Sequence, residues 1–169
     1  FNYESIAITD SANLFGFLKF YKSLRSKGIK PIAGAEINHV RDSSSHNDHA
    51  NLTLIAKNHS GYKNLIKLIS KSQIAGKMSG IPVIETEWLA DHSDGLIVLS
   101  GGFRGHIGKA VLDTNHDLFL KRIKYFQKIF AEDFILEISR INRPQEDLYN
   151  EYILSKPGEL GLPVIASNE

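Results

Sequence analysis

The stretch GIKPIAGAE, residues 28–36, decides the fold class. Gly28 is a residue type that commonly ends a helix, and Pro31 is tolerated where a strand begins. The small apolar residues that follow Pro31 are typical of a buried strand. An amphipathic helix precedes the stretch, because apolar side chains recur at helical spacing at Leu14, Phe17, Leu18, Tyr21 and Leu24. The order of Gly, Pro and strand recurs at residues 161–166, so we predict repeated strand and helix units.

Six strand-like runs alternate with helical stripes along the chain. We predict strands at residues 6–8, 31–36, 52–56, 96–99, 134–138 and 162–166, and further helices near residues 62–69, 119–130 and 148–153. Strands rich in Val, Ile and Leu that alternate with amphipathic helices are typical of a parallel sheet. No dinucleotide-binding fingerprint accompanies them, which favours a barrel over a doubly wound sheet. The polar residues 39–50 are predicted to form a loop.

The composition excludes several classes of protein. The chain has 169 residues, of which 42% are hydrophobic, and this suffices for one domain with a single core. The 20 basic and 19 acidic residues nearly cancel, which excludes a module that binds nucleic acid by bulk positive charge. Cysteine is absent, so disulfides and thiolate metal sites are excluded. Strand-like runs lie close to both Phe1 and Glu169, and we therefore expect a domain cut from a longer protein.

Four carboxylates lie at or just after predicted strands, where a barrel carries its chemistry. They are Asp10, Glu36, Glu137 and Glu169. Such a set would suit a hard metal ion or general acid–base catalysis. Two structural alternatives stay open, which are helix capping by Asp10 and a solvated or ion-paired role for Glu137.

The histidines and the Gly-rich segment favour structural roles. His39, His46 and His49 fall in or beside the predicted polar loop without the spacing of a zinc-binding helix, so a solvated loop is favoured over a metal site. The other histidines, His106 among them, are predicted to lie on the surface or to cap helices. Residues 100–108 are rich in Gly but lack the ending of a P-loop, and they predict a tight strand-to-helix turn.

Two rows of lysine follow helical spacing. They comprise Lys63, Lys67 and Lys71 in one predicted helix and Lys121, Lys124 and Lys128 in another. Such rows are usually the solvated faces of amphipathic helices. No aromatic side chains interleave with them on the same face, and we expect DNA binding that is weak and sensitive to salt.

Ordered blocks of sequence cover nearly the whole chain. They are ITDSANLFG at 8–16, GIKPIAGAE at 28–36, LTLIAKN at 52–58, GYKNL at 61–65, GLIVLSGG at 95–102, FILEI at 134–138 and LGLPVIASN at 160–168. Together they resemble the N-terminal polymerase and histidinol phosphatase (PHP) domain of bacterial DNA polymerase III alpha subunits, especially the proteobacterial form. The resemblance implies an α/β fold, part of a distorted (β/α)7 barrel in which parallel strands alternate with helices. It also implies that residues 1–169 are a single, partial PHP domain that lacks the first strand and the last βα segment, with the polymerase domains absent.

The resemblance also identifies the positions of a vestigial metal site. Family members with an intact site bind a cluster of metals through His, Asp, Glu and Cys ligands and hydrolyse phosphoesters. The corresponding positions here are Asp10, Ser11, Glu36, Gly102, Ile141 and Glu169. Glu36 matches the family, whereas Ser11 and Ile141 stand where His is expected. Gly102 stands in place of Cys, and Glu169 in place of Asp. Since Gly and Ile offer no side-chain donor and Ser is a poor ligand, we expect no metal cluster and no catalytic residue.

A role in chromosomal replication follows from the same resemblance. The parent protein would be a cytoplasmic DNA-directed DNA polymerase, a nucleotidyltransferase that uses Mg²⁺ in a palm domain outside this chain. This domain would hold no cofactor and would not be catalytic by itself. It would be a scaffold and a docking surface for the proofreading exonuclease subunit, with the other core polymerase subunits and the rest of the alpha subunit as partners. DNA would be contacted through the parent protein, and no membrane is implied. The alternative is an active metal-dependent phosphoesterase or 3′–5′ exonuclease of the PHP family.

Overall fold

A computed structural model describes residues 3–41, 49–78, 80–156 and 160–168. Its strands are β1 (Ser5–Ser11), β2 (Lys30–Val40), β3 (His49–Ala56), β4 (Lys77–Met78), β5 (Ile81–Glu85), β6 (Leu96–Leu99), β7 (Phe134–Ser139) and β8 (Val164–Ser167). Its α-helices are α1 (Phe17–Arg25), α2 (His59–Ile74), α3 (Thr86–Asp91), α4 (His106–Leu112), α5 (His116–Phe130) and α6 (Glu146–Leu154). Strands and helices alternate along most of the chain, which confirms the predicted α/β class.

The strands form one curled sheet with the shape of a half-barrel. Its main path runs β4-β5-β2-β3-β6-β7-β8, and β1 pairs with β2 off this path. β2 pairs with two strands along one side: its residues 30–36 pair with β1, and its residues 38–40 pair with β5. β3 pairs along the other side of β2. This arrangement agrees with the prediction of part of a distorted barrel.

The direction of β3 corrects the expectation of a wholly parallel sheet. β3 runs antiparallel to both β2 and β6, and β4 runs antiparallel to β5. The pairs β1–β2, β2–β5, β6–β7 and β7–β8 are parallel. A parallel crossover needs about a dozen residues or more, whereas residues 41–48 alone connect β2 to β3. The connection is therefore too short for a parallel return, and the two strands pair as antiparallel neighbours.

The predicted polar loop is shorter than the sequence indicates. β2 continues through His39 and Val40, and β3 begins at His49. The side chains of His39, Val40 and Ala50 are buried. Backbone pairing with β5 and between β2 and β3 extends the strands into the polar segment. Residues 42–48, which include His46, lie outside the described residues.

Residues 77–78 and 81–91 form elements that the apolar periodicity does not predict. β4 and β5 make a short antiparallel hairpin, and α3 follows directly. With two residues in β4 and six in α3, these elements are too short to show a clear period. The Gly-rich segment is the expected strand-to-helix turn, in which a 3-10 turn at Gly102–Arg104 leads into α4.

Alternation along the strands separates the two faces of the sheet. In β3, Leu52 and Leu54 are fully buried in the apolar core with the helices, whereas Asn51 and Thr53 line a cavity on the concave face. The largest fully buried side chains of the core include Tyr149, Phe119, Phe126, Phe134, Leu65 and Leu68. Truncation of one such side chain to Ala typically costs about 2–5 kcal/mol. Among the described residues, no helix is both long and apolar enough to cross a membrane.

Candidate functional site

The concave face of the sheet forms a cavity of about 220 Å³. Polar side chains from several strands and from the turn after β6 line it, and they are Thr9, Glu36, Asn51, Thr53, Arg104, Glu137, Ser139, Ser167 and Asn168. A concave site where polar groups converge from separate elements is the usual place for binding or catalysis. This cavity is therefore the candidate site.

The cavity collects only some of the residues that the sequence singles out. Glu36, Gly102 and Glu137 line it. Asp10, Ser11 and Ile141 are not among its lining residues, and Glu169 lies outside the described residues. The vestigial metal positions are therefore only partly brought together in the described chain.

Glu36 is held by two side chains that sequence reasoning did not single out. The Asn51 side-chain amide donates to Oε1 of Glu36 at 2.7 Å, and Nη2 of Arg104 donates to Oε2 at 3.2 Å. The ion pair is partly exposed, with 27% of the Glu36 side chain and 34% of the Arg104 side chain accessible. Both carboxylate oxygens thus have a donor, and a guanidinium supplies the positive charge beside them. A metal ion at Glu36 would have to compete with the positive charge of Arg104 for this carboxylate.

Asp10 and Ser11 are engaged at the end of β1 rather than in the cavity. Oδ2 of Asp10 accepts the backbone N–H of Gly16 at 3.2 Å, directly before α1. The Ser11 carbonyl accepts the side-chain amide of Asn13 at 2.8 Å. Asp10 therefore anchors the turn into α1, as expected of a carboxylate near a helix N-terminus.

The turn after β6 is fixed by a buried network around Glu137. Both Gly101 and Gly102 adopt left-handed backbone conformations, with φ of 76° and 56°. The N–H of Gly101 donates to Oε2 of Glu137 at 3.1 Å, and the N–H of Glu137 donates to the Ser100 hydroxyl at 2.9 Å. The hydroxyl of Tyr149 donates to the Glu137 carbonyl at 3.0 Å, and burial raises the pKa of Tyr149. Glu137 thus acts as an acceptor that holds the turn.

Ile141 lies in a loop that Glu146 organises. Oε2 of Glu146 accepts the backbone N–H groups of Ile141 at 2.9 Å and Asn142 at 3.0 Å. Its Oε1 accepts the Ser139 hydroxyl at 2.6 Å. The pKa of Glu146 is held below its usual range, and the hydrogen bond from the Ser139 hydroxyl is the largest cause. The hydrogen bonds from the backbone N–H groups lower it further. The loop is therefore shaped by a charged residue at the start of α6, and Ile141 contributes no ligand atom from its side chain.

These residues do not fit a metal cluster. In the described ranges, no three side chains of His, Asp or Glu come together as ligands for one ion. Glu36 is committed to Arg104 and Asn51, and Gly102 offers no side-chain donor. A multinuclear site needs several anionic or imidazole ligands to offset its positive charge. Such a set is not assembled by the part of the cavity that the structure describes.

His39 and His106 form a buried pair, which corrects the expectation of solvated or surface histidines. Both side chains are 0% exposed. Nε2 of His106 lies 2.9 Å from Nδ1 of His39 and 3.1 Å from its carbonyl oxygen. Burial and, after it, the charge of Arg122 lower the pKa of His106 to about 3, so this ring is neutral at pH 7. The pair lies on the core side, with both rings close to Phe126.

The site residues that sequence reasoning missed have weak sequence signals. Asn51 could have been found, because it alternates with the core residues Leu52 and Ala50 and therefore faces the same side as Glu36. Arg104 carries no comparable signal, since its side chain reaches Glu36 from a turn 68 residues away in the sequence. The burial of His106 depends on packing against β2 and α5, which periodicity does not describe.

Comparisons with known proteins point to one family. A family model described as the PHP domain matches residues 1–141. The chain is similar to the DNA polymerase III subunit alpha of Vibrio cholerae, with 41% identity over 165 residues, and to that of Escherichia coli K12, with 38% identity over 165 residues. The alignments cover 98% of this chain but 14% of each relative, so the chain spans a small part of these proteins.

A comparison of structures points to the same fold. The chain resembles a crystal structure of a proposed metal-dependent phosphoesterase from Bifidobacterium adolescentis, with a TM-score of 0.53. The match covers 97% of this chain and 76% of the other. At 13% sequence identity, this likeness concerns the fold alone.

Proposed function

The chain belongs to the PHP domain family, and from that membership we propose that it serves as a degenerate PHP domain within a replicative DNA polymerase III alpha subunit. It acts there as a scaffold and as a docking surface for other polymerase subunits, above all the proofreading exonuclease subunit. The parent protein carries out DNA-templated DNA synthesis in the cytoplasm, with Mg²⁺ bound in a palm domain outside this chain. The similarity to alpha subunits over 98% of the chain supports this role.

One observation supports a non-catalytic domain most directly. Glu36, which matches a ligand of intact family members, accepts hydrogen bonds from Arg104 and Asn51. The guanidinium stands beside this carboxylate as a fixed positive charge, and it supplies no exchangeable coordination position or activated water. Among the described residues that line the cavity there are Ser and Thr hydroxyls, but no His that could act as their general base.

A metal and activity measurement tests the absence of catalysis. The alpha subunit at its natural length is dialysed, analysed for Mn and Zn, and assayed for 3′–5′ exonuclease and phosphoesterase activity with each metal added. We expect no bound metal beyond that of the palm domain and no hydrolysis above background. Two or more additional metals per chain, together with hydrolysis, would overturn the proposal in favour of an active phosphoesterase.

A second measurement tests docking. The alpha subunit and its proofreading exonuclease subunit are mixed and analysed by size-exclusion chromatography, in parallel with an alpha subunit that lacks residues 1–169. The intact protein is expected to coelute with the exonuclease, and the shortened protein is expected to lose it while primer extension shows that its polymerase domains are folded. If the shortened protein still binds the exonuclease fully, the exonuclease binds outside residues 1–169 and the proposed docking role is wrong.

A further inference from the structure

The charged residues of this chain are unevenly distributed, because two stretches that include α1 and α2 contain basic residues without acidic ones. Residues 14–31 and 57–74, which include α1 and α2, contain nine of the 20 basic residues and none of the 19 acidic ones. The rest of the chain is therefore net negative, although the whole chain is nearly neutral. A local excess of one sign of charge creates a potential that the net charge of the whole chain conceals.

An apolar groove runs between these two helices. It has a volume of about 780 Å³, and residues of α1, α2, β2, β3 and β6 line it. Leu14, Phe17, Leu18 and Tyr21 contribute the α1 side at helical spacing, and Tyr62 contributes the α2 side. The Phe17 ring packs on Tyr62 with 5.7 Å between ring centroids, which joins the two helices at the groove.

α1 leaves an unusual amount of apolar surface exposed. None of its residues is buried. Leu18 is 64% exposed and Tyr21 is 43% exposed, and Phe15 in the turn before the helix is 92% exposed. A second hollow of about 520 Å³, which shares Leu14 and Tyr62 with the groove, extends the apolar strip along α2. Contiguous exposed apolar surface of this kind, with a polar rim, marks an interaction site.

The rim of the groove carries positive charges that are available to a partner. Lys22 and Arg25 follow Leu18 by four and seven residues on α1, and Lys30 at the start of β2 lines the groove itself. All three side chains are exposed, and none forms an ion pair with another described residue. Lys57, in contrast, is already bonded to Asp133 at 2.8 Å.

We propose that the groove between α1 and α2 binds an acidic amphipathic segment of a protein partner. Apolar side chains of that segment would fill the groove beside Leu18 and Tyr21, and its carboxylates would face Lys22, Arg25 and Lys30. Charge complementarity selects this occupant, because an apolar floor with a rim of one sign matches an apolar stripe flanked by the opposite sign. The inference deepens the docking role proposed above and rests on it.

Single-stranded nucleic acid fits the groove less well. Base stacking requires open aromatic faces, whereas the ring of Phe17 is packed between those of Tyr21 and Tyr62. The floor contains the aliphatic side chains of Ile32, Ile55 and Ile97, which offer nothing to phosphate. Of the two described lysines that line the groove, Lys30 and Lys57, the second is already bonded to Asp133. A helix can insert into a concave groove, whereas a flat membrane surface cannot fill it.

The test uses the protein at its natural length and a labelled synthetic helix of about five turns, with Leu at helical spacing and Glu elsewhere. A matched peptide carries Lys in place of Glu. The rim variant is Lys22→Glu/Arg25→Glu/Lys30→Glu, and the floor variant is Leu18→Ser. The control variants are Lys121→Glu/Lys124→Glu/Lys128→Glu on α5 and Leu148→Ser on α6, where Leu148 is 54% exposed. Fluorescence anisotropy measures binding of each peptide.

We expect the acidic peptide to bind, and the rim and floor variants each to weaken it by about tenfold or more. The Lys peptide should not bind, and the control variants should behave like the wild-type protein. No binding of the acidic peptide, or an equal loss in the controls, would overturn the inference. The inference would also be overturned if single-stranded DNA, anionic vesicles or a second copy of the protein bound the same residues more tightly than the acidic peptide does.

Binding of the exonuclease subunit is measured in parallel on the same variants. If the rim and floor variants retain the exonuclease and the peptide does not bind, docking stands and the groove inference fails. If the wild-type protein does not bind the exonuclease at all, the proposed docking role fails, whatever the peptide does.

Discussion

Acid should open the structure around His106, because the folded protein holds this ring neutral. Its pKa is lowered to about 3, against an ordinary value of 6.5. Burial is the largest cause, and the charges of Arg122, Lys109 and Arg41 act in the same direction, while the hydrogen bond to the His39 carbonyl opposes them. Between these two pKa values, the unfolded chain binds a proton that the folded chain excludes. Stability from this residue is therefore complete above about pH 6.5 and is lost as the pH falls towards 3.

The size of the effect follows from the width of this window. A pH of 5 lies about 1.5 units below the ordinary histidine pKa, so the open form is largely protonated there. This protonation shifts the opening equilibrium towards the open form by about 2 kcal/mol, or about 30-fold. Glu146 does not contribute in this range. Its pKa is lowered, so its stabilisation is lost only below the ordinary carboxyl pKa of 4.5.

Hydrogen–deuterium exchange of the protein at its natural length measures this opening locally. After correction for intrinsic exchange, protection of the α4 amides should fall by about 30-fold from pH 7 to pH 5. A His116→Gln variant is the matched control, because His116 is exposed and should leave the pH dependence unchanged. Protection of α4 that stays constant over this range would refute the buried neutral histidine.

The remaining predictions concern the cavity, the packing of α2 and DNA. Glu36→Ala should leave any nuclease background unchanged and cost less than about 1 kcal/mol, because its ion pair with Arg104 is partly exposed; a fall in hydrolysis would contradict this. Gly61→Ala should destabilise the protein by about 1–3 kcal/mol in chemical denaturation, because a Cβ at this position would overlap the Gly95 carbonyl. Ser70→Ala on the exposed face of the same helix is its control, and equal stability of the two variants would show that the contact relaxes without cost. Single-stranded DNA should bind weakly and be lost near 0.15 M salt, where the screening length is about 8 Å; sub-micromolar affinity at that salt would show a true DNA contact.

Elements with their own local signals could be predicted from the sequence. β6 is a continuous apolar run between Gly95 and Ser100, and its bounds of Leu96–Leu99 are those expected. The helical spacing of Phe119, Ile123 and Phe126 predicts α5, and all three side chains are buried. These features depend on residues close together in the chain, which periodicity describes well.

Features that depend on distant partners could not be predicted. The direction of β3 is set by a short connection and by pairing with β6, neither of which changes the apolar pattern of the strand. The pairing of Glu36 with Arg104 joins residues from a strand and a distant turn. The polar sequence around His39 predicts a loop, but β2 extends far enough to bury this side chain against α4 and α5.

The left-handed conformation of Gly102 has an evolutionary consequence. Space exists for a side chain there, since the nearest atom to an added Cβ is the Glu137 carbonyl oxygen at 3.9 Å. A Cys at this position would nevertheless adopt a φ of about 56°, which costs about 1 kcal/mol for a residue with a side chain. Arg104 would still hold Glu36, and Ile141 would still lack a donor. Under the proposed function, no single substitution restores metal binding, so reversal requires several changes that are each neutral or harmful alone. Selection on the cavity would then act on its shape and stability, and its polar residues would be free to diverge.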